Sequence, residues 1–148
     1  MPFARILTEM PRRIAAGDVL LFAEAWIRLA LAAVNLKLLP FERTMRPKPV
    51  SAVRTPSDTE LSRLVWSINA ARRRSWLRAM CIEAALALRS MLQARGIPST
   101  LHYGIRNIEG EGLKAHVWLS VNGTVAIGGE TAEEFAEVAT FRSDPQPQ

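Results

Sequence analysis

The chain contains a single cysteine and two histidines, and their positions indicate thiol chemistry. Cys81 lies near the predicted start of a helix, where the helix dipole and the unpaired backbone N–H groups stabilise a thiolate. His116 follows it in a strand-like run. A histidine on a sheet that packs against such a helix can take the thiol proton, and the resulting ion pair is the nucleophile of a cysteine acyl-transfer enzyme.

Each of these residues also has a purely structural interpretation. A lone cysteine is commonly a small buried apolar residue, and a histidine on a sheet can simply be satisfied by backbone groups. His102 is a rival base. In an uninterrupted strand over residues 100–106, His102 shares a face with Thr100 and Gly104, and we expect that face to be the solvent side.

Three helices are predicted to come before the strands. Residues 17–39 form an apolar helix that begins near Asp18 and ends before Pro40, and we expect it to be buried in the domain, Trp26 included. Four prolines make residues 40–56 an extended connector. A capping box at 57–60 starts the second helix, which ends near 72–74. The third helix runs over about 78–95, and Gly96 stops it.

The pattern then changes to alternating apolar and polar residues, which is typical of strands. Asn122-Gly123 is a two-residue hairpin signal, and a short final helix is predicted at 131–138. The predicted strands are 100–106, 115–121 and 124–127. The fold class is therefore α+β, with one domain over 1–148: helices at about 15–95, antiparallel strands at about 99–130 and a disordered tail at about 143–148.

The composition limits the class of protein. With 148 residues, 49% of them hydrophobic and 22% charged, the chain can build one real core. One cysteine excludes a disulfide framework and a multi-cysteine zinc site, and no phosphate-binding loop occurs, so we expect no metal and no cofactor. The net charge of +5 is compatible with an acidic peptide, nucleic acid or an anionic membrane, but solubility alone also explains it.

Nothing in the sequence indicates export, and the alternative to burial of the apolar helix at 17–39 is that it lies on a membrane. The longest uncharged stretch, residues 115–129, is too short and too polar to span a bilayer. The first residues lack the apolar core of a signal peptide. We therefore expect a cytoplasmic protein with no transmembrane segment.

An ordered set of motifs resembles the lasso peptide biosynthesis B proteins, specifically their transglutaminase-like cysteine peptidase half. The resemblance covers roughly residues 15–141, and its apolar first helix ends in LLPF at 38–41. The other motifs are WSINAARR at 66–73, Cys81 with Ala84, LQARGIP at 92–98, LHYGI at 101–105 and AHVW at 115–118. The resemblance implies a transglutaminase-like, papain-like peptidase core with Cys81 as nucleophile and His116 as base.

The resemblance also implies a function and its partners. Such enzymes remove the leader from a lasso precursor peptide, and an ATP-dependent cyclase then closes a ring on the freed core. Because the peptidase-like pattern begins near residue 15, we expect the split form, in which a separate leader-recognition protein binds the leader. We expect no nucleic acid partner.

The family commonly places an acid about a dozen residues after the histidine, whereas Gly128 and Gly129 occupy that stretch here. Glu130 is the candidate third catalytic residue, if a glycine bulge turns it toward His116; a regular ladder pairs Gly129 with His116 and aims Glu130 away. A surface glutamate, with a backbone carbonyl or water orienting His116, is the alternative. Two other functions stay open: a transglutaminase-like acyltransferase, and a non-catalytic module that grips an acidic peptide or nucleic acid through the arginines of 72–78.

Overall fold

A computed structural model describes residues 16–50, 52–74 and 81–143. The elements are α1 (Ala16–Leu38), α2 (Phe41–Met45), α3 (Asp58–Arg74), α4 (Cys81–Ala94), β1 (Thr100–Ile108), β2 (Gly112–Val121), β3 (Thr124–Ile127) and β4 (Ala136–Arg142). The strands form one antiparallel sheet in the order β3-β2-β1-β4, which confirms the α+β class. The start predicted at residue 78 for the third helix and most of the predicted tail lie outside the described residues.

The helix ends follow local signals in the sequence. The hydroxyl of Ser57 accepts the backbone N–H of Glu60 at 3.1 Å, which is one half of the predicted capping box. Gly96 has φ 72°, and the N–H of Ile97 donates to the carbonyl of Leu92 at 2.9 Å, so α4 ends in a left-handed glycine turn. The connector is less extended than predicted, because residues after Pro40 form the short helix α2.

The hairpin between β2 and β3 turns at Asn122 and Gly123, as predicted. Their φ angles are 51° and 78°, and two consecutive positive values match the right-handed twist of the flanking strands. β1 and β2 are both longer than predicted, and all of β1 pairs with residues 112–120 of β2. In this register Gly104 lies opposite His116, and His102 lies opposite Trp118.

The prediction of a short helix at 131–138 is wrong. A single 3-10 turn spans Ala132–Glu134, and the chain then enters β4, which pairs with the edge of β1. Alanine and glutamate favour a helix locally, but the ladder with β1 satisfies the backbone groups of this segment over a longer stretch. Long-range pairing therefore overrides local propensity here.

The core lies between the helices and one face of the sheet. Helix α4 is buried along most of its length, and its small side chains allow close packing against α1, α3 and β2. From the sheet, Val117, Leu119 and Val121 of β2 and Leu101 of β1 join the same apolar cluster. Since side chains alternate along a strand, their neighbours project from the opposite face, which we call the outer face.

Helix α1 is buried along one stripe, whereas the sequence predicted general burial. Leu29 is 2% exposed, but Leu20 is 73% and Trp26 is 36% exposed, so the expectation of a buried Trp26 is wrong. The helix has 23 residues and a mean hydropathy of 1.7, which is long and apolar enough to cross a membrane by length and composition alone. It nevertheless packs on α3 and α4.

Ion pairs also fasten α1 to the other helices. The buried carboxylate of Asp18 accepts from Arg63 of α3 at 2.7 Å. Glu24 accepts both terminal nitrogens of Arg95, just beyond α4, at 2.9 and 2.7 Å. This fork-shaped hydrogen bond lowers the pKa of Glu24, and burial opposes the shift. The stability that Glu24 adds is therefore present at neutral pH and is lost as the pH falls through its lowered pKa.

The same substitution at two positions of α1 separates the buried stripe from the exposed one. We expect Leu29→Ala to lower the free energy of unfolding by about 3 kcal/mol, because it leaves a cavity in the core. Leu20→Ala should change it by less than about 0.5 kcal/mol. Urea unfolding followed by circular dichroism measures both values. Equal effects would contradict this placement of α1.

Candidate active site

The outer face of the sheet carries both histidines. His102 and Trp118 are partners in the β1–β2 ladder, and His116 lies two residues from Trp118 on the same strand. These side chains alternate with the core residues of β1 and β2, so they project away from α4. Both histidines therefore lie on the face away from the core, but His102 is half-buried beside the buried Trp118 and Ser120, so this part of the face is not the open solvent side that the sequence predicts.

His116 is oriented by a backbone carbonyl. Its Nε2 lies 2.7 Å from the carbonyl oxygen of Gly128. A carbonyl can only accept, so Nε2 must carry the proton, and the neutral ring then has its lone pair on Nδ1. The carbonyl therefore fixes the tautomer in which Nδ1 can act as a base. In a catalytic triad, a carboxylate side chain commonly performs this orienting role.

A row of stacked rings also supports His116. Trp118 lies between the two imidazoles, with ring centroids 5.4 Å from His102 and 5.8 Å from His116. Phe135 packs on His116 at 5.1 Å. Gly104 makes room for this row, because a Cβ there would lie 2.8 Å from the Trp118 ring and 2.9 Å from Phe135. The rings limit the rotation of His116 and shield one side of it from water.

His102 belongs to a different hydrogen-bonded chain. Its Nδ1 lies 2.9 Å from a carboxylate oxygen of Glu137 on β4, and its Nε2 lies 2.7 Å from the hydroxyl of Ser120 on β2. The carboxylate accepts from Nδ1–H, and Nε2 accepts from the hydroxyl. Both nitrogens are thus occupied in the neutral ring. Sequence reasoning missed this chain because β4 was predicted as a helix.

Cys81 is half-buried at the first described residue of α4. At the other end of α4, Gln93 donates to the hydroxyl of Ser143 at 3.3 Å. Ser143 follows directly after β4, at the end of the sheet where β2 finishes. Helix α4 and strand β2 therefore run in the same direction, and Cys81 lies toward the end of the sheet where β2 begins. Within the described residues, Cys81 makes no hydrogen bond to His116, which projects from the face away from α4.

Glu130 is exposed at the end of the β3 segment. The ladder between β2 and β3 shifts register beside Leu119, so the regular pairing of Gly129 with His116 does not form, and the nearby Gly128 carbonyl meets the imidazole instead. Among the described residues, the structure shows no hydrogen bond from Glu130 to His116. The backbone carbonyl that sequence reasoning named as an alternative therefore occupies the orienting position, while the catalytic role of Glu130 stays a prediction.

The titratable groups of this region are dispersed rather than clustered. Over residues 16–50, 52–74 and 81–143, no three histidine, cysteine, aspartate or glutamate side chains are grouped so that they could hold a metal ion. The chemistry that the described side chains can perform is proton transfer at the free nitrogen of His116 and nucleophilic attack by the thiol of Cys81.

Gly128 and Gly123 offer a matched test of the carbonyl contact. Both have positive φ, 79° and 78°, but a Cβ at Gly128 would lie 2.8 Å from the Val117 carbonyl, whereas a Cβ at Gly123 meets nothing within 4 Å. Gly123→Ala should cost about 1 kcal/mol for the strained φ alone. We expect Gly128→Ala to cost roughly twice as much and to release the ring of His116, seen as a changed histidine resonance by NMR. Equal costs with an unchanged resonance would contradict the close contact.

Comparison with known proteins assigns the chain to a family. No curated protein and no solved structure matches the chain. A family model described as the transglutaminase-like superfamily matches residues 24–140, which include α3, α4, the whole of β1, β2 and β3, and both Cys81 and His116. That superfamily typically contains cysteine peptidases and acyltransferases. The chain is therefore a member of the transglutaminase-like superfamily.

Proposed function

We propose that this protein is a cytoplasmic cysteine endopeptidase that removes the leader from a lasso precursor peptide. The observation that carries the proposal is the position of the only cysteine, at the start of a buried helix that packs on the strand bearing His116. The family match covers both residues. The ordered motifs around them are the basis for choosing this substrate class.

His116 is the better base of the two histidines. The Gly128 carbonyl holds the proton on Nε2 and leaves Nδ1 free to accept another. In His102, both ring nitrogens are already engaged by Glu137 and Ser120. A base needs an available lone pair and a fixed orientation, and the hydrogen bonds of His116 meet both conditions.

The proposed reaction has two steps. Nδ1 of His116 takes the proton of the Cys81 thiol, and the thiolate attacks the carbonyl carbon that precedes the core peptide. The C–N bond breaks, the core amine leaves with the proton from the imidazolium, and the leader remains as a thioester. Water then attacks the thioester, which releases the leader as a carboxylic acid and restores the thiol. The backbone N–H groups at the start of α4 are the natural donors to the oxyanion.

Because the described residues include no hydrogen bond between Cys81 and His116, the proposal requires the two side chains to meet in the substrate complex. The tightening of a long hydrogen bond on substrate binding is not enough here, because His116 projects from the face away from α4; the imidazole or the start of α4 must change position when substrate binds. The end of the sheet where β2 begins is where the two side chains would meet, since residues 112–115 are exposed and α4 begins at the same end.

Two partners belong to the proposal. A separate leader-recognition protein would raise the concentration of the precursor beside Cys81, and an ATP-dependent lasso cyclase would use the amine that cleavage frees. Cleavage must precede ring closure, because the amine exists only after the leader has left.

Acyl transfer to an amine is the second candidate function. The superfamily contains acyltransferases, and the same thioester serves both reactions. Mass spectrometry of the leader product distinguishes them: hydrolysis yields a free carboxylic acid, whereas transfer to a supplied amine yields an amide. A non-catalytic module that binds through residues 72–78 needs no reactive thiol, so it is distinguished by the state of Cys81.

The roles of the catalytic residues can be measured with substitutions that should preserve the fold. We expect Cys81→Ala and Cys81→Ser to abolish leader cleavage, since no other thiol exists. His116→Ala should reduce the rate by roughly a hundredfold or more. Glu130→Gln tests the predicted third residue: a lower rate with unchanged precursor binding would assign Glu130 the orienting role, whereas an unchanged rate would leave that role to the Gly128 carbonyl. Initial rates are measured by chromatography of the released leader.

His102→Ala is the matched control for His116. It removes an imidazole from the same sheet face, and we expect the cleavage rate to change by less than about threefold. Iodoacetamide labelling of Cys81 against pH reports which group activates the thiol. Activation that survives His116→Ala but disappears in His102→Ala would reverse the assignment. Cleavage by Cys81→Ala protein would end the peptidase proposal.

Dependence on a partner is a separate prediction. If leader recognition lies in another protein, the chain alone should cleave free precursor at least about tenfold more slowly than the mixture at low precursor concentration. The difference should disappear at saturating precursor. A rate that is unchanged by the partner at every concentration would contradict the split system.

A further inference from the structure

A groove lies beside the second half of α4, away from the end that carries Cys81, and all its charged lining residues are basic. It lies between α1, the segment from α2 to Pro49, and the second half of α4, with a cavity volume of about 590 Å³. Its charged lining residues are all cations: Arg28, Arg43, Arg46, Lys48 and Arg89. The net charge of the chain is +5, so much of the excess is concentrated at this one place.

These cations are only partly neutralised by the protein. Arg28 contacts Glu24 at 3.4 Å, but Arg95 holds both oxygens of that carboxylate at shorter distances. Within the part of the chain that the structure describes, no carboxylate pairs with Arg43, Arg46 or Lys48, whose side chains are exposed. A concave surface of like charge attracts an anion more strongly than a flat one does.

Arg89 is the buried member of the groove. It is 6% exposed, and its guanidinium donates to the carbonyls of Met45 at 2.6 Å and Thr44 at 2.8 Å. Burial lowers its pKa to about 10, so it remains charged at neutral pH. Carbonyl dipoles are its only acceptors among the described residues, and a buried cation without a carboxylate is stabilised further by an incoming anion.

The groove also has apolar walls. Leu31 and Leu39 on one side and Pro47 and Pro49 on the other contribute to its lining. Leu31 is 53% exposed, so an apolar side chain could bury it. Apolar walls with several separated cations fit a peptide that carries both carboxylates and apolar side chains better than they fit a single inorganic anion.

We propose that this groove binds an acidic, partly apolar segment of the precursor peptide, at a distance from the scissile bond; the identity of the peptide rests on the proposed function. Arg89 lies eight residues beyond Cys81 on the same helix, which is about 12 Å along its axis. An extended peptide covers that distance in about four residues. The acidic residues that the groove holds are therefore at least about four residues from the bond that is cut.

The binding test uses two labelled peptides and does not depend on cleavage. The probe is fluorescein-labelled Glu-Leu-Glu-Glu-Leu-Glu, and the control probe replaces each glutamate with glutamine. Fluorescence anisotropy should show that the Arg43→Gln, Arg46→Gln double variant raises the Kd of the acidic probe at least about fivefold, and that added salt weakens binding. Equal binding of the two probes would overturn the proposal.

The matched control removes two cations elsewhere. Arg106 and Lys114 lie at the far end of the β1–β2 ladder, outside the groove, and their double substitution by glutamine changes the net charge by the same amount. We expect this variant to bind the acidic probe within about twofold of the unchanged protein. A loss equal to that of the groove variant would mean that total charge alone attracts the peptide, and the proposal would fall.

Two further measurements separate the competing explanations. If vesicles containing phosphatidylglycerol lose affinity for the groove variant while the peptide does not, the groove contacts membrane and the proposal is wrong. Precursors with their acidic residues replaced by amides should show a raised KM with little change in kcat. Acidic-probe binding without any cleavage of precursor would overturn the peptidase function but support peptide binding by the groove. Cleavage without groove-dependent binding would overturn only the proposal that the groove binds peptide.

Discussion

The close packing of α4 inside the helical layer is the constraint on which both functional regions depend. Ala84, Ala85 and Ala87 are fully buried, and their small size lets α1, α3 and the sheet approach the backbone of α4 from several sides. A helix held in this way cannot rotate, so the thiol at its first residue and the guanidinium of Arg89 further along have fixed positions relative to each other. Loss of that packing would displace both.

The alternation of side chains along β2 gives the strand one face that packs in the core and one face that carries His116. Val117 and Leu119 face the helices and bury apolar area, while His116 and Trp118 face outward. This arrangement gives His116 a stacked environment and a single backbone acceptor, but it also places the imidazole on the face away from Cys81. The proposed chemistry therefore requires bound substrate to bring Cys81, at the start of α4, together with His116 near the start of β2.

The thiol and the basic groove occupy opposite ends of one rigid helix. Rigid spacing of this kind lets binding energy from a remote part of a peptide position the bond that reacts. The cations of the groove are accommodated in three ways: the buried Arg89 donates to the carbonyls of α2, Arg28 donates to Ser90 and Glu24, and the remaining three side chains are exposed.

Local signals in the sequence determined the three long helices, the Asn122-Gly123 hairpin and the α+β order, because caps, glycine turns and apolar periodicity act over a few residues. They also singled out Cys81 and His116 by residue type. Only the tertiary structure decided that β4 is a strand, that Glu137 reaches His102 and that the Gly128 carbonyl orients His116, since each of these needs a partner distant in the chain. The exposure of Trp26 has the same cause: an apolar helix shows which residues could be buried, but the neighbours that pack on it decide which ones are.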